Sequence, residues 1–185
     1  MLRKEVIEGC LREDAESQKT LYRELLPYLN GLCGRYLNDT SHRQDILQEG
    51  FIRIFQNLSQ FDAEKGKFHS WASRIVINLC LKHNKRSLSW FVRELKESDS
   101  PDFNPEVVDA LSNEELIRFL KQMPAKYYEV FNLHIIDGYS HEEIAKILKI
   151  KENLSRKRLS RAREWIKKKP KSLNALLGDY RFSIG

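Results

Sequence analysis

Glycine is scarce in this chain, eight residues in 185, and none falls in a Gly-rich phosphate-cradling loop. There is no G-x-S-x-G elbow, and no pair of carboxylates stands beside a usable nucleophile. No apolar run approaches the ~20 residues of a membrane span. The N-terminal stretch breaks its apolar residues with charges, unlike a signal peptide. Cysteine is limited to Cys10, Cys33 and Cys80, an odd number, widely spaced and without C-x-x-C. That pattern fits reduced packing residues in a cytoplasm. His141-Glu142-Glu143 lacks the spacing of a helical zinc site. β-type alternation is missing as well. The expectation is a cytoplasmic chain with no catalytic residue, cofactor, metal or membrane insertion.

What the chain has is charge, unevenly placed. Charged residues make up 31% and hydrophobic ones 41%, a globular balance. From Lys146 to Lys171 twelve Lys/Arg face only Glu152 and Glu164, a local charge of +10 in a chain of +6. Solubility alone does not concentrate charge so strongly, whereas counterion release from DNA rewards it. The same stretch reads as two short helices. Ser140 and Glu143 form a capping box, and Gly138 upstream can take a left-handed turn. Ile144, Ile147 and Leu148 stripe the first helix. Ser155, Leu159, Ala162 and Ile166 stripe the second, leaving Arg156, Lys157, Ser160 and Arg161 opposite, with Arg158 beside them. This is a helix-turn-helix whose second helix is built to enter a major groove.

Upstream, a short helix is expected from about Arg3 to Arg12, with Val6, Ile7, Cys10 and Leu11 inward. Asp14 caps a second, striped by Leu21, Leu25, Leu29, Leu32, Cys33 and Tyr36; Pro27 should kink or split it at Leu26. Ser41 and Gln44 make another capping box, opening a helix to about Ser59. Its core stripe is Leu47, Phe51, Ile54, Phe55 and Leu58, while Asp45, Gln48, Glu49 and Ile52 share a second face. After the polar turn Phe61–Lys67, Phe68, Trp71, Ala72, Ile75 and Leu79 line a fourth helix. Arg74, Asn78, Lys82, Lys85 and Arg86 gather on its other side, beside aromatics that could stack on bases. Residues 93–115 hold eight acidic against two basic residues, with two prolines. Ser112 and Glu115 cap a helix Glu114–Met123, and Pro124 starts another. The reading is all-α: two small helical domains, 1–87 and 112–169, joined by a flexible acidic linker over 88–111, with a tail 170–185. The linker, taken from Ser87 to Leu111, reaches about 80 Å at ~3.3 Å per residue, against about 70 Å for two turns of duplex.

In this order the motifs resemble the sigma-70 family of bacterial RNA polymerase sigma factors, the extracytoplasmic-function (ECF) type. Asp45-Ile46-Leu47-Gln48-Glu49-Gly50-Phe51 looks like region 2.2. The resemblance implies that Asp45, Gln48, Glu49 and Ile52 dock on the β′ clamp helices of core polymerase. Gly66–Ile75 looks like region 2.3, and Asn78–Arg86 falls where region 2.4 reads the −10 element. By this resemblance Phe68, Trp71, Arg74, Asn78, Lys82, Lys85 and Arg86 serve −10 recognition and melting, with an extruded base held by the Phe61–Phe68 turn. The tryptophan pair of housekeeping sigmas is replaced by Arg74 and Ile75, leaving Trp71 and Asn78 nearest to a melting wedge. Asp137–Ser140, Glu143–Ala145 and Leu159–Arg163 are similar to region 4.2, assigning Arg156, Lys157, Arg158, Ser160 and Arg161 to the −35 element. The turn glycine usual in that family is Lys149 here, and its usual threonine is Leu154, so Asn153 is the expected N-cap. Implied partners are core RNA polymerase (β′ clamp helices and β flap), promoter DNA and an anti-sigma factor. The rival reading is an autonomous helix-turn-helix regulator with an N-terminal dimerisation or sensing domain.

Overall fold

The computed structural model describes residues 4–37, 39–91 and 113–168, with side chains through Lys85 and from Leu116 onward. Every regular element among them is helical. They fall in two compact units. The first holds α1 (Lys4–Leu11), α2 (Ala15–Tyr36), α3 (Arg43–Gln56), a 3₁₀ turn (Leu58–Gln60) and α4 (Phe68–Phe91). The second holds α5 (Asn113–Leu120), α6 (Ala125–Phe131), a π-helical turn (Asn132–Ile136), α7 (His141–Leu148) and α8 (Glu152–Lys167).

In the first unit α2 is the spine, packed on α1, α3 and α4. The Asp14 carboxylate accepts the Ser17 N–H at 2.8 Å, and the Ser17 hydroxyl, then that N–H, hold its pKa below the usual carboxylate range. All six residues of its expected stripe are buried. Pro27 does not split the helix, which runs unbroken from Ala15 to Tyr36. Leu21 and Leu25 on one side of the proline, with Leu29 and Leu32 on the other, bury one face that continues past it. Packing overrides the local penalty of ~3 kcal/mol. The buried Asn84 amide of α4 donates to the Tyr36 carbonyl at 2.7 Å, satisfying an orphan group at the end of α2. Deeper between these helices Cys33 and Cys80, both buried free thiols, lie Sγ to Sγ at 3.9 Å.

Several local expectations need correction. Leu11 is half exposed and Ile7 only partly buried, so Val6 and Cys10 carry the packing of α1. Ser41 does not cap α3: its N–H and hydroxyl both donate backward to Asp39, and the helix begins at Arg43 without a side-chain cap. An Asx turn has taken the hydroxyl that the capping box needed. Helix α3 also ends early, at Gln56, where Asn57 Nδ2 donates to the Arg53 carbonyl. Its buried face includes Ile46 and Gly50, which the stripe had omitted. A Cβ on Gly50 would stand 2.9 Å from Val76 Cγ2, so the glycine lets α3 close on α4. Helix α4 runs to Phe91, past the last expected residue, because Ser87–Phe91 contains neither proline nor glycine. The remainder of the acidic segment, the Ser112 cap and the tail lie outside the described residues.

Candidate nucleic-acid and polymerase interfaces

In the second unit the helix-turn-helix is assembled from its caps inward. Gly138 takes φ +75°, a left-handed conformation that a β-carbon would strain. Both arms of the Ser140–Glu143 capping box form, fixing where α7 starts. Lys149 then adopts φ 55°, ψ 49°, the conformation for which glycine would be the ordinary choice. Its N–H and that of Ile150 both bond the Ala145 carbonyl, closing α7 in the manner of a Schellman cap. A non-glycine residue there costs ~1–2 kcal/mol, part of which glycine would return as chain entropy. Lys149→Gly is therefore expected to stabilise this unit by roughly 0.5–1 kcal/mol, seen as a rise of a few degrees in its thermal midpoint. Asn153 is not the N-cap of α8. The tight turn starts the helix at Glu152, with Lys151 in the cap position and no side-chain bond.

Helix α8 buries the inner face the sequence predicts: Ser155, Leu159, Ala162 and Ile166. Trp165 rests on Phe119 of α5, with ring centroids 5.3 Å apart. Arg156, Lys157, Ser160 and Arg161 are exposed together, and Arg158 is half-buried beside them. Two of these arginines are held along the helix, Arg156 by Glu152 and Arg161 by Glu164 at 2.9 Å. Both pairs are exposed, so exchanging the carboxylate for a phosphate or a base edge costs only ~0–1 kcal/mol. The helix presents a preordered row of guanidinium and ammonium groups.

Sequence periodicity did not reveal the support behind that row. Ser155 is completely buried, and its hydroxyl lies 2.8 Å from Nδ1 of His141 on α7. The His141 ring stacks on His134 at 4.3 Å, and His134 Nδ1–H donates to the Tyr139 carbonyl at 2.8 Å. Burial, then His134, Arg156 and Arg163, hold the His141 pKa below its ordinary 6.5, opposed only by Glu152. The folded state thus prefers neutral imidazole and binds fewer protons than the unfolded chain. Its stabilising effect is complete above about pH 6.5 and is lost as pH falls below that value. Chemical denaturation at pH 7.5 and 5.5 should show this unit weakening at the lower pH, with a smaller pH difference in His141→Gln.

In the first unit Asp45, Gln48, Glu49 and Ile52 are all exposed on one face of α3. Ile52 retains 48% exposure with no role in the core, and Glu49 is bound to Arg53 at 2.6 Å. Asp45 and Glu49 also line a groove with His42, Lys82 and His83, so a basic residue of α4 stands across from this acidic face. On α4, Arg74, Asn78, Lys82 and Lys85 are exposed along the helix; the Arg86 side chain lies outside the described residues. Phe68, counted among the −10 residues, is buried. It packs against Phe61 and Trp71 at 5.0 and 5.4 Å, so it supports the half-buried Trp71 instead of offering its own face. The adjoining turn is ordered by Asp62, which accepts the Glu64 N–H at 3.0 Å and pairs with Lys65 at 3.0 Å. Among the described residues no cluster of His, Cys, Asp and Glu could hold a metal, and no helix is long and apolar enough to cross a membrane.

Residues 21–90 match the Sigma-70 region 2 family and residues 113–166 match Sigma-70 region 4. The chain is 31% identical over 155 residues to the ECF RNA polymerase sigma factor SigW of Bacillus subtilis, spanning 77% of this chain and 82% of that protein. It belongs to the ECF sigma factors. A second relative, the RNA polymerase sigma-H factor of Pseudomonas aeruginosa, is 29% identical over 79 residues, 43% of this chain and 40% of that one. Two solved structures share the fold. The sigma factor RpoE of Bartonella quintana, crystallised with the anti-sigma factor NepR, has a TM-score of 0.55 at 20% identity over 86% of this chain and 96% of its own. CnrH, solved with the cytosolic domain of CnrY, has a TM-score of 0.52 at 18% identity over 97% and 99%. As an ECF sigma factor, the chain works with RNA polymerase in promoter-directed transcription initiation. Matches to both regions in this order disfavour the autonomous regulator.

Proposed function

We propose that this sigma factor divides its work between its two helical units. The first, around residues 1–87, docks on the β′ clamp helices through Asp45, Gln48, Glu49 and Ile52 and engages the −10 element through α4. The second, around 112–169, contacts the β flap and reads the −35 element with α8. The observation that carries this reading is the α8 surface: an inner face buried without exception and an outer face of exposed cations. On α4, Arg74, Lys82, Lys85 and Arg86 follow the phosphate backbone, while Trp71 and Asn78 stand where bases unstack. The protein acts in the cytoplasm without catalysing a reaction itself, and an anti-sigma partner holds it inactive, as NepR accompanies RpoE in the related complex.

The test is reconstitution. Full-length protein with core polymerase should initiate at a defined set of sites on genomic fragments, while core polymerase alone should not. The free protein should bind duplex weakly, with affinity falling steeply as salt rises, because phosphate neutralisation supplies most of it. Tight, salt-insensitive, sequence-specific binding without polymerase would sink this reading and favour an autonomous regulator.

A further inference from the structure

The cations of α8 share their surface with a residue that has no place among them. Leu154 lies in the first turn of the helix and keeps 39% of its surface exposed, although Ser155 beside it is completely buried. At helical spacing it lies on one side with Lys157, Arg158 and Arg161. An isolated exposed leucine ordinarily needs no explanation. This one stands at the end of the helix that reaches base edges first, ringed by groups that bind phosphate. The surrounding positive charge favours a polyanion over an apolar protein groove as what it meets. In a major groove the one apolar group on a base edge is the C5-methyl of thymine.

We infer that Leu154 is a specificity residue that reads a thymine methyl group in the −35 element. The inference rests on the −35 reading proposed above for α8, and it adds an apolar contact to a surface otherwise assigned to hydrogen bonds and phosphates. Leucine reaches the methyl without a donor or acceptor, so it distinguishes thymine from cytosine or uracil by shape and burial alone. Covering one methyl is worth about fourfold in binding, from ~0.8 kcal/mol per buried carbon at 1.4 kcal/mol per tenfold.

The experiment exchanges single atoms of DNA. Once the preferred −35 sequence has been selected from a randomised library with holoenzyme, each thymine in it is replaced singly by deoxyuridine, which removes only the methyl. Wild-type holoenzyme should lose about fourfold in initiation at one of these positions. Leu154→Ser should initiate equally from the thymine and deoxyuridine templates, and Leu154→Met should restore the difference. Circular dichroism of both variants checks folding, and the wild-type comparison needs no variant at all. If wild type distinguishes −35 base pairs yet ignores every deoxyuridine, or if Leu154→Ser responds as wild type does, the inference is wrong while the −35 reading stands. A uniform loss in Leu154→Ser with no deoxyuridine effect assigns Leu154 to a protein contact instead. Should no −35 base-pair change matter, the parent reading fails and takes this inference with it.

Discussion

Arg161→Ala is expected to abolish discrimination among −35 variants in a transcription assay, while Lys168→Ala lowers activity evenly on all of them. The difference follows from position and geometry. Arg161 is exposed on the outer face of α8 and paired with Glu164, 2.9 Å away. A guanidinium so placed can reach a guanine edge with two parallel hydrogen bonds, and replacing it costs ~1–3 kcal/mol at one base pair. Lys168 is the C-cap residue, just past the last turn of α8, where on the proposed −35 reading only phosphates would be in range. Its loss should scale every promoter by the same factor, and that factor should shrink as salt rises. Equal scaling of all variants by Arg161→Ala would mean that α8 grips backbone only, and the −35 reader would have to be sought elsewhere.

The second large effect concerns polymerase. Gln48→Ala combined with Glu49→Ala should leave circular dichroism and thermal midpoint nearly unchanged, since both side chains are exposed and off the buried face of α3. Association with core polymerase should nevertheless fall roughly thirtyfold, the cost of two contacts at ~1 kcal/mol each. Ile52→Asp should cost more. It puts a charge where an exposed isoleucine offers the apolar centre that protein interfaces are built around. Glu49→Ala also frees Arg53 from its 2.6 Å ion pair, so Arg53→Ala is the control that separates lost attraction from released charge. Unchanged co-elution of the folded double variant with core polymerase would remove this face from the docking surface.

Much of this molecule is written in local pattern. The stripe of α2, the inner face of α8, the capping box at Ser140 and the left-handed turn at Gly138 all follow from helical spacing and backbone sterics, which act between near neighbours in the chain. For the same reason the outer face of α8 was legible as a set: once the inner stripe is known, the remaining positions must face away. The left-handed Lys149 goes against those sterics and was expected only from the family resemblance. Tertiary packing decided the rest. Pro27 stays inside an unbroken helix because buried leucines on both sides outweigh one lost hydrogen bond. Ser41 gives its hydroxyl to Asp39, and Asn153 is drawn past the cap by the turn before it. Phe68 and Trp71 are three residues apart with the same aromatic character. Phe61, across the turn, packs on both, yet one is buried and the other remains half-exposed, a difference set by the tertiary packing around them. The His134–His141–Ser155 arrangement and the Cys33–Cys80 approach join residues on different helices, and no periodicity within one helix specifies which residues another helix brings against it.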